Sequence, residues 1–87
     1  MSIENDFQEA IRTIKNSNLK LSNVQLSKLY GLYKQSLFGD NTSPEPGFFN
    51  FKDKQKWNAW NEYKGKSKDM AKIAYTNFVK KLLRHDK

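Results

Sequence analysis

Hydrophobic positions recur along this chain at intervals of three and four, the spacing of one helical face. Phe7, Ala10, Ile11 and Ile14 form the first such stripe and predict a helix from about Ile3 to Asn16. Glu4, Asp6 and Glu9 lie in its early turns, where negative charge suits the positive end of the helix dipole. A second stripe, Leu26, Leu29, Tyr30, Tyr33 and Leu37, follows Ser22-Asn23-Val24-Gln25. That tetrapeptide has the spacing of a capping box, with Ser22 as N-cap and Gln25 reaching back to it. Gly39 is placed for a left-handed C-terminal stop. Gly31 inside this helix costs about 1 kcal/mol relative to Ala, so something must pack or bind closely there.

The run from Asp40 to Asn50 contains Pro44, Pro46 and Gly47 and reads as a loop. It is long for a tight helical hairpin, and long enough to let the flanking helices run in the same direction. Phe48 and Phe49 are expected to anchor it to the body. A third helix is predicted from Phe51 or Lys52 to about Tyr63, with Trp57 and Trp60 on one face and Gly65 as its end. Ser67 caps a fourth, to about Arg84, whose buried stripe is Ala71, Ala74, Tyr75, Phe78, Val79 and Leu82. No segment has strand periodicity. The expectation is an all-α four-helix bundle formed by one domain, residues 1–87.

Composition narrows the function. The chain has no cysteine and one histidine, His85, near its C-terminus, where a solvated role is expected. This leaves no thiolate metal site and no His-centred triad. No nucleophile–base pair or carboxylate pair is apparent, so no enzyme is expected. The formal net charge of +7 favours anionic partners. No apolar run is long enough to span a bilayer, and the N-terminal residues lack the basic and apolar regions of a secretory signal. The expected setting is the cytoplasm.

Two clusters then stand out. In the second helix, Tyr30, Tyr33 and Lys34 point the same way; in the third, Lys52 and Lys56 do. Phenol rings offer stacking faces and hydroxyl donors, and lysines supply point charges for phosphate. Together they suit a flat, aromatic, polyanionic ligand. From the pattern alone, the tyrosines fit a core edge as well as a ligand site, and a basic helix face is more often merely solvated. Lys54 lies on another face than Lys52 and Lys56.

The runs Tyr30-Gly31-Leu32-Tyr33-Lys34-Gln35, Gly39-Asp40, Pro46-Gly47, Phe51-Lys52 and Lys56-Trp57-Asn58-Ala59-Trp60-Asn61 resemble the acyl-CoA-binding proteins. The likeness continues through Lys64-Gly65, Ser67-Lys68 and Ala74-Tyr75 and covers nearly the whole chain. It implies the fold of that family: skewed rather than strictly up-and-down helices, with the ligand in a surface bowl. It implies reversible binding of long-chain acyl-CoA by a monomer, without cofactor, in an intracellular acyl-CoA pool that serves lipid metabolism and acyl-CoA-using enzymes. By resemblance, Tyr30, Lys34 and Lys56 meet the 3′-phosphate of CoA and Tyr33 packs on the adenine. Lys52 lies near the ligand, Lys15 reaches the adenine end, and Phe7, Ala10 and Ile11 line the bowl. Tyr75 approaches the ligand from the fourth helix, Trp57 is half core and half pocket wall, and Trp60 is core. The family often has an apolar residue at the position of Ser27 and a small one at Gln55, both near the acyl chain or its entry, so these bear on chain-length preference. The alternative reading is a small basic helical nucleic-acid-binding domain. Against it, arginine occurs only at Arg12 and Arg84, and base readout favours Arg.

Overall fold

The computed structural model describes residues 2–84, so His85 lies outside it. Four helices follow one another: α1 (Ile3–Lys15), α2 (Asn23–Phe38), α3 (Phe51–Asn61) and α4 (Lys68–Arg84). Their ends are set by side chains as much as by propensity. Ser2 accepts from the Asn5 amide at 3.0 Å and caps α1. Ser22 accepts from the Gln25 amide at 3.1 Å while Gln25 accepts from the Ser22 amide at 2.8 Å, which completes the expected box. Ser67 accepts from the Met70 amide at the start of α4. Gly39 ends α2 at φ 77°, as expected in sign, but its ψ of −150° lies outside the left-handed helical well. That region belongs to glycine alone, so the chain turns sharply into the loop there.

The helices pair as α1 with α4, α4 with α2, and α2 with α3. Direction follows from which residues meet. Glu4 bonds Lys72 at 2.6 Å and Phe7 packs edge-on to Tyr75, so α1 and α4 run the same way. Lys28 sits over Phe78, Tyr33 near Tyr75 and Gly39 near Lys68, so α2 opposes α4. Leu26 and Lys52 share a hollow, Gly31 touches Ala59, and the Gly39 carbonyl bonds Trp60. So α2 and α3 are parallel, as the length of the connecting loop permits. The topology is not up-and-down.

The core is built from Phe7, Ala10, Leu29, Leu32, Ala71, Tyr75, Val79 and Leu82, with Ile11, Ile14, Ala74 and Phe78 packed against it. The α4 stripe therefore faces inward as its spacing predicts, and Thr76 is buried beside it. The α2 stripe behaves differently. Only Leu29 of its five members is buried; Leu26 is 50% exposed, Tyr33 and Leu37 are exposed over a third of their surface, and Tyr30 is half-buried. The buried face of α2 is instead Gly31, Leu32, Gln35 and Ser36.

The loop from Gly39 to Asn50 is not pinned by its phenylalanines. Phe48 and Phe49 are 73% and 82% exposed and meet each other edge to face, which corrects the expectation of anchors. The tryptophans take that role. The Trp57 indole donates to the Ser43 carbonyl at 2.9 Å, and Trp60 donates to the Gly39 carbonyl at 2.8 Å. An indole offers a large ring to pack and one N–H to satisfy a turn carbonyl. A polar clamp completes the loop: the buried Gln35 amide donates to Asp40 at 2.9 Å and to the Lys66 carbonyl at 2.7 Å, and the Gly65 amide donates to Asp40 at 2.8 Å. These donors, the Gly65 amide first, hold the Asp40 carboxyl below its ordinary value.

Two measurements probe this packing. A Cβ on Gly31 would lie 2.7 Å from the Tyr63 ring and closer still to the Ala59 carbonyl oxygen, which is backbone and cannot swing aside. Gly31→Ala gains about 1 kcal/mol of helix propensity but incurs overpacking at the upper end of about 1–3 kcal/mol, so chemical denaturation should give a net loss of about 2 kcal/mol. For Asp40, a depressed folded-state value means stability that is present above the ordinary carboxylate range and lost as pH falls through the folded value. Stability measured against pH should therefore decline on acidification in the wild type, and more shallowly in Asp40→Asn.

Candidate functional site

Close packing at Gly31 draws the backbones of α2 and α3 together, and their parallel course keeps equivalent turns side by side. On one side of that seam a hollow of about 500 Å³ opens. Its lining is Asn23, Leu26, Ser27 and Tyr30 from α2, and Lys52, Gln55, Lys56 and Ala59 from α3. The spacing is helical on both walls: Leu26 to Tyr30 is four residues, and so is Lys52 to Lys56. The apolar surface comes from Leu26, Ala59 and the ring of Tyr30, and the two ammonium groups stand on the α3 wall.

The cluster continues beyond the hollow by one turn. The Lys56 ammonium lies 5.9 Å from the centre of the Tyr30 ring. Lys34, one turn after Tyr30, lies 4.5 Å from the ring centre of Phe38 and 4.9 Å from that of Trp60. Cation–π attraction of this kind holds a lysine near an aromatic face without neutralising its charge. Tyr30, Lys34, Lys52 and Lys56 are thus gathered along one seam, as their spacing in the sequence suggests. An anion placed there meets donors and positive charge from both helices.

Tyr33 belongs to an adjoining aromatic group. Its ring centre is 6.4 Å from Phe7 and 6.5 Å from Tyr75, while Phe7 and Tyr75 meet edge to face at 5.2 Å. Tyr33 is the exposed member of the group. Tyr75 is almost wholly buried; burial first, and the Tyr33 phenol second, raise its phenol above the ordinary value, so it stays neutral and able to donate. Phe7 has no exposed surface and supports this group from beneath rather than lining an opening. Ile11 is half-buried against the same core. Lys72 bridges the group to α1, bonding Glu4 while its ammonium lies 5.8 Å from the Phe7 ring centre.

The remaining expected residues lie further out. Lys15 is exposed in the last turn of α1 and is not among the residues lining the hollow. Since α1 runs opposite to α2, it stands toward the end of the bundle where α2 begins. Trp57 is half-buried with its indole turned to the Ser43 carbonyl, which makes it a loop anchor. Trp60 is half-buried rather than core, and its ring carries Lys34.

Asn23, Leu26 and Ala59 line the hollow although sequence reasoning does not pick them out as site residues. Leu26 has a visible signal: its stripe also carries Lys34 one turn past Tyr30, and a buried face would not hold an unpaired lysine. Asn23 and Ala59 have none, because their place depends on how α3 is set against α2. A second hollow, of about 350 Å³, shares Asn23, Ser27 and Gln55 with the first and extends to Lys28, Glu62 and Tyr63. Among the described residues no cluster of His, Asp or Glu side chains is arranged to hold a metal.

Comparison with known proteins bears directly on this seam. The model of the family described as acyl CoA binding protein matches residues 4–79. Acyl-CoA-binding protein homolog 1 of Caenorhabditis elegans is 47% identical over 77 residues, which cover 88% of this chain and 90% of that protein. The acyl-CoA-binding protein of Saccharomyces cerevisiae is 42% identical over 77 residues, 88% of each chain. The crystal structure of Oryza sativa acyl-CoA-binding protein 2 superposes with a TM-score of 0.91 at 41% identity, covering 95% of this chain and 92% of that one. With the fold matched at that level and the family model spanning all but the ends, this chain belongs to the acyl-CoA-binding protein family.

Proposed function

We propose that this protein binds long-chain acyl-CoA reversibly, one ligand per monomer, with no bond made or broken. The observation that carries this reading is the hollow between α2 and α3, apolar along Leu26 and Ala59 and bordered by Tyr30, Lys52 and Lys56. Family membership supports it, as do relatives named for acyl-CoA binding. The nucleic-acid reading finds no support among these relatives.

The ligand has two unlike ends, and the seam offers separate physics for each. Tyr30, Lys34 and Lys56 take the 3′-phosphate, Lys52 adds positive charge nearby, and Tyr33 stacks on the adenine, with Lys15 reaching that end and Tyr75 closing in from α4. Phe7 and Ile11 back the aromatic group, and Trp57 holds the adjoining loop. Each charge-assisted hydrogen bond contributes about 1.5–3 kcal/mol, less where it is exposed. The acyl chain leaves water for the apolar wall, at about 0.8 kcal/mol per methylene buried. Ten methylenes offer roughly 8 kcal/mol before ordering costs of several kcal/mol. The chain therefore separates acyl-CoA from free CoA, and the lysines separate CoA esters from free fatty acids. Ser27 and Gln55, one on each wall of the hollow, make it more polar and tune chain-length preference.

In this reading residues 1–87 act as one acyl-CoA-binding domain. The protein needs no cofactor and is a cytoplasmic carrier that buffers an acyl-CoA pool and passes it to lipid-metabolising enzymes. It does not insert stably in membranes; no helix among the described residues is long and apolar enough to cross one.

Calorimetric titration with hexadecanoyl-CoA tests the proposal. The thioester should bind much more tightly than free CoA, and tightly at physiological salt, where duplex DNA should not compete. Lys34→Ala should weaken hexadecanoyl-CoA by about ten- to a hundredfold, the equivalent of one charge-assisted bond. The same change should weaken the ester that lacks the 3′-phosphate much less. Equal losses for both esters would mean that Lys34 meets some other group, and failure of the wild type to bind the thioester would end the proposal.

A further inference from the structure

Three phenylalanines crowd the end of the α2–α3 loop and the first residue of α3. Phe48, Phe49 and Phe51 are 73%, 82% and 70% exposed. Phe48 and Phe49 meet edge to face, ring centres 5.2 Å apart, and Phe49 and Phe51 line one shallow depression with Lys52. Single exposed apolar residues are ordinary, but three neighbouring phenyl rings held outward form a contiguous patch. The loop beneath them is fixed, not loose: Trp57 and Trp60 tie it through carbonyls, and Lys54 bonds Glu45 at 2.9 Å. The patch is therefore presented by the fold.

We propose that this tip docks the protein on an anionic bilayer surface. Phenyl rings partition into the boundary between headgroups and acyl chains, and lysines beside them are drawn to the negative surface. Lys52 and Lys56 stand immediately after the rings, and the local carboxylates are Glu45, already paired with Lys54, and Asp53 in the first turn of α3. The formal net charge of +7 attracts the chain to such a surface and repels a second copy of itself. Three exposed rings side by side suit shallow insertion, and no covalent anchor or spanning helix is needed for weak, reversible attachment. Lys52 lines both the tip and the hollow, so the docked protein would hold the mouth of the hollow against the lipid. That last step, loading or release of the ligand at the surface, rests on the acyl-CoA reading; the docking itself does not.

The test is cosedimentation of the full chain with phosphatidylcholine vesicles, with and without phosphatidylserine. The wild type should bind the phosphatidylserine-containing vesicles and lose them as salt rises. Phe48→Ser with Phe49→Ser, whose rings pack edge to face, should weaken vesicle binding at least about tenfold. Phe49→Trp should bind at least as well as the wild type. Hexadecanoyl-CoA titrated in the absence of vesicles should bind the double variant as it binds the wild type. A wild type indifferent to vesicles would overturn the proposal, as would a double variant that still binds them. So would a self-associated wild type that the double variant renders monomeric, which would make a second copy the occupant, or a loss of ligand affinity in solution, which would make the rings part of the ligand site. Vesicle docking without any binding of the thioester would leave this surface standing and remove the acyl-CoA reading instead.

Discussion

The contact between Gly31 and the Ala59 carbonyl is the constraint from which the site follows. A side chain at position 31 would meet backbone, so only glycine lets α2 and α3 approach this far. Close approach in a parallel sense brings Tyr30 and Lys34 level with Lys56 and Trp60, turn against turn. An antiparallel pair would carry the α3 lysines to the other end of α2. The loop from Gly39 to Asn50 is therefore part of the same device. It must be long enough to return the chain to the start of α2, and firm enough that α3 keeps its register. Trp57, Trp60 and the Gln35–Asp40–Gly65 clamp supply that firmness.

A fold this small has little interior to spare for a binding cavity. It answers by leaving part of its apolar surface uncovered. Leu26 and Leu37 of the α2 stripe are as apolar as core residues, yet both stay exposed while Leu29 between them is buried. Its cost in exposed surface is the counterpart of its proposed use, since an apolar groove stabilises whatever greasy chain occupies it. The polar half of the site carries a smaller structural burden. Lys34 and Lys56 rest near aromatic rings, and their charge stays available.

Much of the helical framework is legible in the amino-acid sequence. The capping box at Ser22 and Gln25, the cap at Ser67 and the α4 stripe depend on residues three and four apart, and local patterns of that kind read directly. Gly31 announces a close approach because a mid-helix glycine is otherwise a cost. Periodicity does not say that the α2 stripe faces outward, because an apolar groove and a core have the same spacing. Nor does it distinguish loop anchors from exposed rings. Phe48 and Phe49 have the character of anchors, and only the indole hydrogen bonds transfer that role to Trp57 and Trp60. The clamp from Gln35 to the Lys66 carbonyl joins segments far apart in the chain and leaves no local trace.

Amide chemical shifts report most directly on whether the seam between α2 and α3 receives the ligand. Titrating labelled protein with hexadecanoyl-CoA should move the amides of Leu26 to Lys34 and of Lys52 to Trp60 most, while Thr13 and Val79, which line a separate depression between α1 and α4, should change little. Largest shifts at Thr13 and Val79, with the seam unmoved, would contradict this.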